Sequence, residues 1–316
     1  VTRLLKLIRA LDPRALERSA SRADTLSASV KALRQDVRSL HEAVTDLARQ
    51  LVAMQAQAEQ LAVLHEEDRH AGARMDALER VLDVKRVSEH CLGAIRDAAI
   101  AQAPVSYTIV PDVLPSDIYT ALVDAIPPDV FFDLRGPHWR ELPIPPRLAP
   151  THVVVAWTFL ADVVKRVFGP ALVERFRPLL EKEVRALCPG FSEDIGFAVS
   201  RGRLVLRQPG FSQSGRRGRS FDLLTAVLWL ARAEDGPGYG FRVDGKEIPF
   251  QANTLGIVFD STGRHEYVPV PGTAAADLRR YSYEFRVGAD AASRRRLLLA
   301  MDEPTRRAWE AADAQP

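Results

Sequence analysis

Cysteine, methionine and aromatic residues are scarce in this chain. Its 316 residues hold two cysteines, three methionines and 7% Phe, Trp and Tyr. Cys91 and Cys188 are far apart, which excludes a disulfide scaffold and any C-x-x-C metal spacing. Two partly buried thiols in a reducing, cytoplasmic setting are the expectation. An excess of charge of one sign is also missing. Lys and Arg number 43 against 41 Asp and Glu, a formal net charge of +2, so net charge argues for neither an acidic nor a basic partner. Aromatic residues interleaved with basic ones, as base stacking requires, are absent too, which speaks against a nucleic-acid partner. No apolar run nears the ~20 residues that cross a bilayer. The opening VTRLLKLIRAL lacks a sustained apolar region and a small-residue cleavage site, so no signal peptide is expected. There is no glycine-rich phosphate loop, no GxSxG elbow and no HExxH pair.

Proline and glycine are absent from residues 22–62, and there the clearest pattern appears. Val30, Val37, Val44, Leu51 and Ala58 recur every seven residues, as do Leu26, Leu33, Leu40, Leu47, Met54 and Leu61. The interleaved series form a heptad seam, the first at a and the second at d. A lone helix cannot bury such a seam, so a homo-oligomer through residues 22–62 is expected. β-branched residues at a with Leu at d favour a parallel dimer, and the sparse charge at e and g (Arg34, Asp36, His41) leaves a trimer open. His65 at a, Asp68 at d and Gly72 loosen the seam before apolar spacing resumes at Met75, Leu78 and Leu82. The expected organisation is a short helix over 1–21, a coiled-coil stalk over 22–102, a globular domain over 103–290 and a helical tail over 291–316.

In the globular part, YTIV at 107–110 reads as a strand, and Ser116 as the cap of a helix stopped by Pro127-Pro128. Residues 133–150, rich in Pro and Arg, read as a long loop. Two amphipathic helices follow, over 151–168 and 171–187, separated by Gly169-Pro170. The period then changes to that of strands: FAVSRGRLVLRQ, the buried run LLTAVLWLAR, a hairpin at Asp244-Gly245, TLGIVF, HEYVPV and RRYSYEFRV. Helices followed by many short strands argue for an α+β fold: a jelly-roll-like sandwich with helices packed outside.

That order, with the phrases SRGRLVLRQPGF, LLTAVLWLAR, ANTLGIVFDSTGRHEYVPV and RRYSYEFRVG, resembles the bacterial Fe(II)/2-oxoglutarate-dependent oxygenases of the prolyl-hydroxylase-like branch, over residues 107–288. The resemblance implies a double-stranded β-helix. It also implies iron held by an HxD/E pair and a distant His, and an Arg or Lys that pairs with the distal carboxylate of 2-oxoglutarate. His265 stands where the distal metal His belongs. Arg280 stands where the 2-oxoglutarate-binding Arg belongs, with Ser282 in the same phrase and Arg279 as its neighbouring alternative.

The first half of the metal motif departs from the family. Where the family reads approximately GYxLxPHxD, this chain reads GFSQSGRRG, with Arg216 for the His and Gly218 for the acid. A guanidinium is a poor ligand for Fe(II), and glycine has no side chain to offer. The resemblance therefore implies a degenerate metal site with His265 as its remnant, in a catalytically silent binding or scaffold module. The alternative is an active Fe(II)/2-oxoglutarate hydroxylase of a protein, glycan or small molecule, with ligands rebuilt from His138, His152 or Asp222. The basic segment SGRRGRS, with Arg216 and Arg217, and Arg203 on the strand before it are candidates for an anionic ligand.

Overall fold

The structure, a computed structural model, describes residues 13–69, 71–101, 106–212, 221–232, 235–243, 245–259 and 265–307. The chain divides into two compact units, Val1–Ala62 and Val63–Pro316. Helix α1, Pro13–Arg69, is continuous for 57 residues. Within the first unit its seam is open to solvent, with Leu26, Leu33, Leu40 and Leu47 each more than 60% exposed.

The second unit starts earlier in the chain than the heptad pattern implies. Helices α2 (Ala71–Val81) and α3 (Val84–Asp97) lie in the region expected as stalk, yet they bury Leu78, Val87, Cys91 and Ile95 in the main core. Positions 87, 91 and 95 repeat at one face of a helix, and that face is spent on the body. The Asp83 carboxylate caps α3 by accepting from the backbone N–H groups of Lys85 and Arg86.

The strands are β1 (Ile100–Ala101), β2 (Tyr107–Val110), β3 (Asp133–Gly136), β4 (Trp139–Pro143), β5 (Phe197–Val199), β6 (Arg203–Arg207), β7 (Asp222–Trp229), β8 (Phe241–Val243), β9 (Lys246–Ile248), β10 (Thr254–Phe259), β11 (His265–Tyr267) and β12 (Arg280–Ala289). A nine-stranded sheet runs β1-β2-β10-β7-β12-β6-β4-β3, with β5 paired to the far end of β12. A three-stranded sheet runs β11-β8-β9. The pairings are antiparallel, and with the helices they make a mixed α+β fold.

One face of the large sheet carries helices. Helices α4 (Ser116–Asp124), α5 (Thr151–Val163) and α6 (Gly169–Leu187) pack there, with a π-helical turn over Val164–Phe168 joining the last two. Trp157 stacks on Tyr283, Phe168 lies against Phe285, and Phe176 meets Phe259 edge-on at 5.5 Å. The other face packs on the small sheet. Val227, Trp229 and Val258 meet Phe241, Val243, Ile248 and Phe250 in a second apolar cluster.

Three local expectations need correction. Residues 133–143 form the β3–β4 hairpin, and β4 pairs along β6 from Trp139↔Arg207 to Pro143↔Arg203. Pro143 is the last residue of β4 and lies past the stretch paired with β3, which ends at Glu141, so its missing N–H leaves no ladder bond to β3 unmade. The stretch 197–208 is two strands, both on β12. It breaks around Gly202, where an added Cβ would collide with the Tyr283 hydroxyl. Ser116 does not cap α4, since Pro115 occupies that position without a side-chain bond. Strands β8 and β9 pair as a hairpin, and Gly245, at φ +84°, supplies a left-handed turn residue between them; Asp244 lies outside the described residues. Helix α7, Ala291–Ala300, follows β12 directly and is capped by Asp290.

Candidate functional site

The site grows out of one strand. Along β12, Tyr281, Tyr283, Phe285 and Val287 alternate with Arg280, Ser282 and Glu284, so the period of two gives the strand an aromatic face and a polar one. The aromatic face meets the helices. The polar face is buried as well, with Arg280 at 3%, Ser282 at 0% and Glu284 at 5% exposure. Buried charge must be paired and hydrogen-bonded to be tolerated. The register gives Glu284 a partner in Arg203 opposite it, while Arg280, which lies opposite another cation in Arg207, takes its carboxylate from Asp235.

Glu284 is the hub. It is paired with Arg207 through one carboxylate oxygen. The same oxygen accepts from the Tyr267 hydroxyl at 2.7 Å and the Ser282 hydroxyl at 3.0 Å. Its other oxygen accepts from Arg203 at 3.3 Å. Burial pushes the Glu284 carboxyl up, but Arg207, Arg203 and the two hydroxyl donors outweigh it and hold the group below the usual carboxylate range. Arg207 also donates to Ser282 Oγ at 3.1 Å, and its guanidinium carbon lies over the Tyr267 ring, 3.4 Å from the centroid. Burial, then the Glu284 charge, drives the Tyr267 hydroxyl far up, so it stays a donor. Arg203 reaches on to Glu141 of β4 at 2.7 Å. Burial keeps the Glu141 carboxyl above its ordinary value despite Arg203.

Arg280 makes a separate clasp. Its guanidinium donates to Asp235 Oδ1 at 3.1 Å, to the Gly236 carbonyl at 3.0 Å and to the Gly238 carbonyl at 3.3 Å. The Phe250 ring lies 4.7 Å from its central carbon. Arg279, the neighbouring alternative, points to the opposite face. It donates to Asp129 at 2.8 Å, which also takes the Tyr281 hydroxyl at 2.7 Å.

The candidate residues thus fall into distinct places. Arg280 and Ser282 share the buried polar face, and Ser282 belongs to the Glu284 network. His265 begins β11, opposite Val243 and two residues before Tyr267; its side chain lies outside the described part. Arg216, Arg217 and Gly218 also lie outside the described residues. Arg203, an anion-site candidate, is engaged by two of the chain's own carboxylates. His138, His152 and Asp222 do not converge. His138 packs its ring on Gly210, and Asp222 pairs with Arg286 at 3.1 Å. His152 sits at the start of α5, its Nε2 3.3 Å from Arg74, lining a cavity of about 270 Å³ on the helix face with Glu67, Asp124 and Tyr281. Burial and then Arg74 keep that imidazole below its ordinary pKa. Among the described residues no three His, Cys, Asp or Glu side chains form a metal-sized group.

From the sequence, Arg207 is placed only on the basic strand before SGRRGRS and Glu284 and Tyr267 are missed, although a signal existed. RYSYEF alternates R-S-E against Y-Y-F in a strand flanked by aromatics, and RLVLR puts two arginines on one face four residues apart. Such a pattern marks a strand with two buried faces, one of them charged.

No family model matches the chain, and no curated protein does. Solved structures do resemble it. A prolyl-4-hydroxylase from Pseudomonas putida is 17% identical, with a TM-score of 0.41, over 64% of this chain and 100% of that one. A prolyl hydroxylase from Trichoplax adhaerens, in complex with a hypoxia-inducible-factor degradation-domain peptide, is 13% identical at a TM-score of 0.41, over 69% and 94%. An oxidoreductase of the 2OG-Fe(II) oxygenase family from Burkholderia pseudomallei is 14% identical at a TM-score of 0.36, over 58% and 84%.

Proposed function

We propose that the body of this protein is a double-stranded β-helix of the oxygenase type that has become a catalytically silent binding module. The observation that carries the reading is the clasp on Arg280. A guanidinium recruits a substrate carboxylate through a free pair of parallel N–H groups. Here Asp235 already sits on Arg280, two backbone carbonyls take further donors, and Phe250 lies against the guanidinium. An outside carboxylate would have to displace the chain's own.

The donor set also fits Fe(II) poorly. Arg216 and Gly218 stand at the positions that the resemblance assigns to the first two ligands. The rebuilt alternatives His138, His152 and Asp222 point to separate surroundings. Nothing in their placement favours the active-hydroxylase alternative. The buried polar face serves to hold the two sheets in register around the Glu284 hub, leaving recognition to the surface.

Anaerobic reconstitution with Fe(II) and 2-oxoglutarate, followed by metal analysis and succinate quantification, tests the proposal. The expected result is substoichiometric iron and no succinate above a buffer blank. The Asp235→Ala variant, which frees Arg280, should bind a dicarboxylate more tightly than the parent in calorimetry, still without turnover. Stoichiometric iron together with succinate release in the parent chain would sink the proposal.

A further inference from the structure

Among the described residues, most of the exposed large apolar side chains lie along α1 in the first unit. Along α1 the side chains at a and d are open to water over five heptads. Val30, Leu33, Val37, Leu40, Val44, Leu47, Leu51, Met54 and Leu61 are each between 47% and 67% exposed. From Leu26 to Leu61 this stripe runs for about 50 Å at about 1.5 Å per residue. Apolar strips of that length on a soluble surface mark an interface. The helix carrying it is unbroken from Pro13 to Arg69.

We infer that the occupant of this face is a second copy of the same chain, wound parallel and in register as a two-stranded coil. Self-pairing follows from the seam. Its a layers are Val30, Val37 and Val44 and its d layers Leu26, Leu33, Leu40 and Leu47, the arrangement that fills the alternating layers of a parallel dimer. Flanking charge agrees. In a parallel pair each g residue faces the e residue five positions on in the other helix. That sets Asp36 of one copy against His41 of the other, Ser29 against Arg34 and Gln50 against Gln55. No like charges meet across the seam. An antiparallel pair would place e against e and g against g and lose the Asp36–His41 contact. The inference is independent of the catalytic reading of the body.

Leu40→Cys in the full chain provides the test. The native thiols Cys91 and Cys188 are buried, so a new thiol at a d layer reports on the seam alone. Light-scattering mass of the parent should be twice the 35.0 kDa of one chain. Under mild oxidation the Leu40→Cys chain should convert to a disulfide-linked dimer within minutes. Cysteine introduced at the outward positions Lys31 or Arg38 should link at least tenfold more slowly. Leu40→Asp should halve the mass while leaving the melting temperature of the body unchanged. A monomeric mass at tens of micromolar, a trimeric mass, or a dimer whose Leu40→Cys form does not link overturns the inference.

Discussion

Replacing Glu284 with glutamine is the sharpest probe of the buried polar face. The change keeps shape and removes one charge. Glu284 is the only carboxylate that any described contact places on Arg207, which is 3% exposed. Arg203, with about a third of its side chain exposed, keeps Glu141 at 2.7 Å and so loses little. The cost therefore falls on Arg207, left charged and buried. Breaking a buried pair by removing one partner costs about 3–5 kcal/mol. For a body of roughly 250 residues at about 2–4 °C per kcal/mol, the melting temperature should fall by about 10 °C. Urea denaturation followed by tryptophan fluorescence is suited to the measurement, since Trp157 and Trp229 are fully buried. Adding Arg207→Met should recover most of the loss, because the double variant buries no lone charge. The pH dependence has a fixed sign. The folded carboxyl is held below its unfolded value of about 4.3, so its contribution is complete above that pH and disappears as the pH falls through the folded value. The gap between parent and Glu284→Gln should narrow below about pH 4. A loss under about 1 kcal/mol, the range of exposed pairs, would refute the argument, because it would mean that water screens the network.

Two further changes test the packing on either side. Gly256 in β10 lies so close to Trp229 that an added Cβ would stand 2.8 Å from the indole ring. Gly256→Ala should therefore cost about 1–3 kcal/mol, and an unchanged urea midpoint would show that the ring moves aside freely. Cys91 is buried against the Val113 carbonyl at 2.9 Å, and burial raises its thiol to about 12. It should resist a thiol-exchange reagent at pH 8 until the body is unfolded, and prompt labelling of the folded chain would contradict that burial.

Much of the body could be read in the chain because its strands carry strong local signals. LLTAVLWL and TLGIVF are continuous apolar runs, as strands buried on both faces must be, and they occupy the middle of the large sheet as β7 and β10. The β3–β4 hairpin could not be read, because DLRGPHWRELP has the composition of a loop. What makes it a strand pair is the open edge of β6, a tertiary partner that no local pattern announces. What covers the apolar faces of α2 and α3 was not legible for a similar reason. Heptad-like spacing marks an apolar helix face without saying what covers it, and Leu78, Val87 and Ile95 are covered by the body.

The site divides along the same line. Arg280 stands out in the sequence because its phrase resembles a family motif, but its clasp was not legible, since Asp235 lies 45 residues earlier in the chain and reaches it only through the fold. That separation matters for function. A free Arg280 and a clasped one have the same sequence context, and they differ in whether the chain supplies its own carboxylate. Glu284 makes the complementary point. Four residues past Arg280 on the same face, it puts a buried negative charge beside Arg207 and Arg203, which would otherwise be available to an anion. Each arginine of the polar face therefore carries a carboxylate from within the chain. A face so neutralised offers an incoming anion few unpaired donors, because a new contact to Arg203, Arg207 or Arg280 replaces one already made. The Asp235→Ala and Glu284→Gln variants accordingly separate two consequences of one design. The first should open Arg280 to an outside carboxylate at small cost in stability, because Asp235 is partly exposed. The second should cost stability without creating a usable site, because Arg207 stays covered by Tyr267.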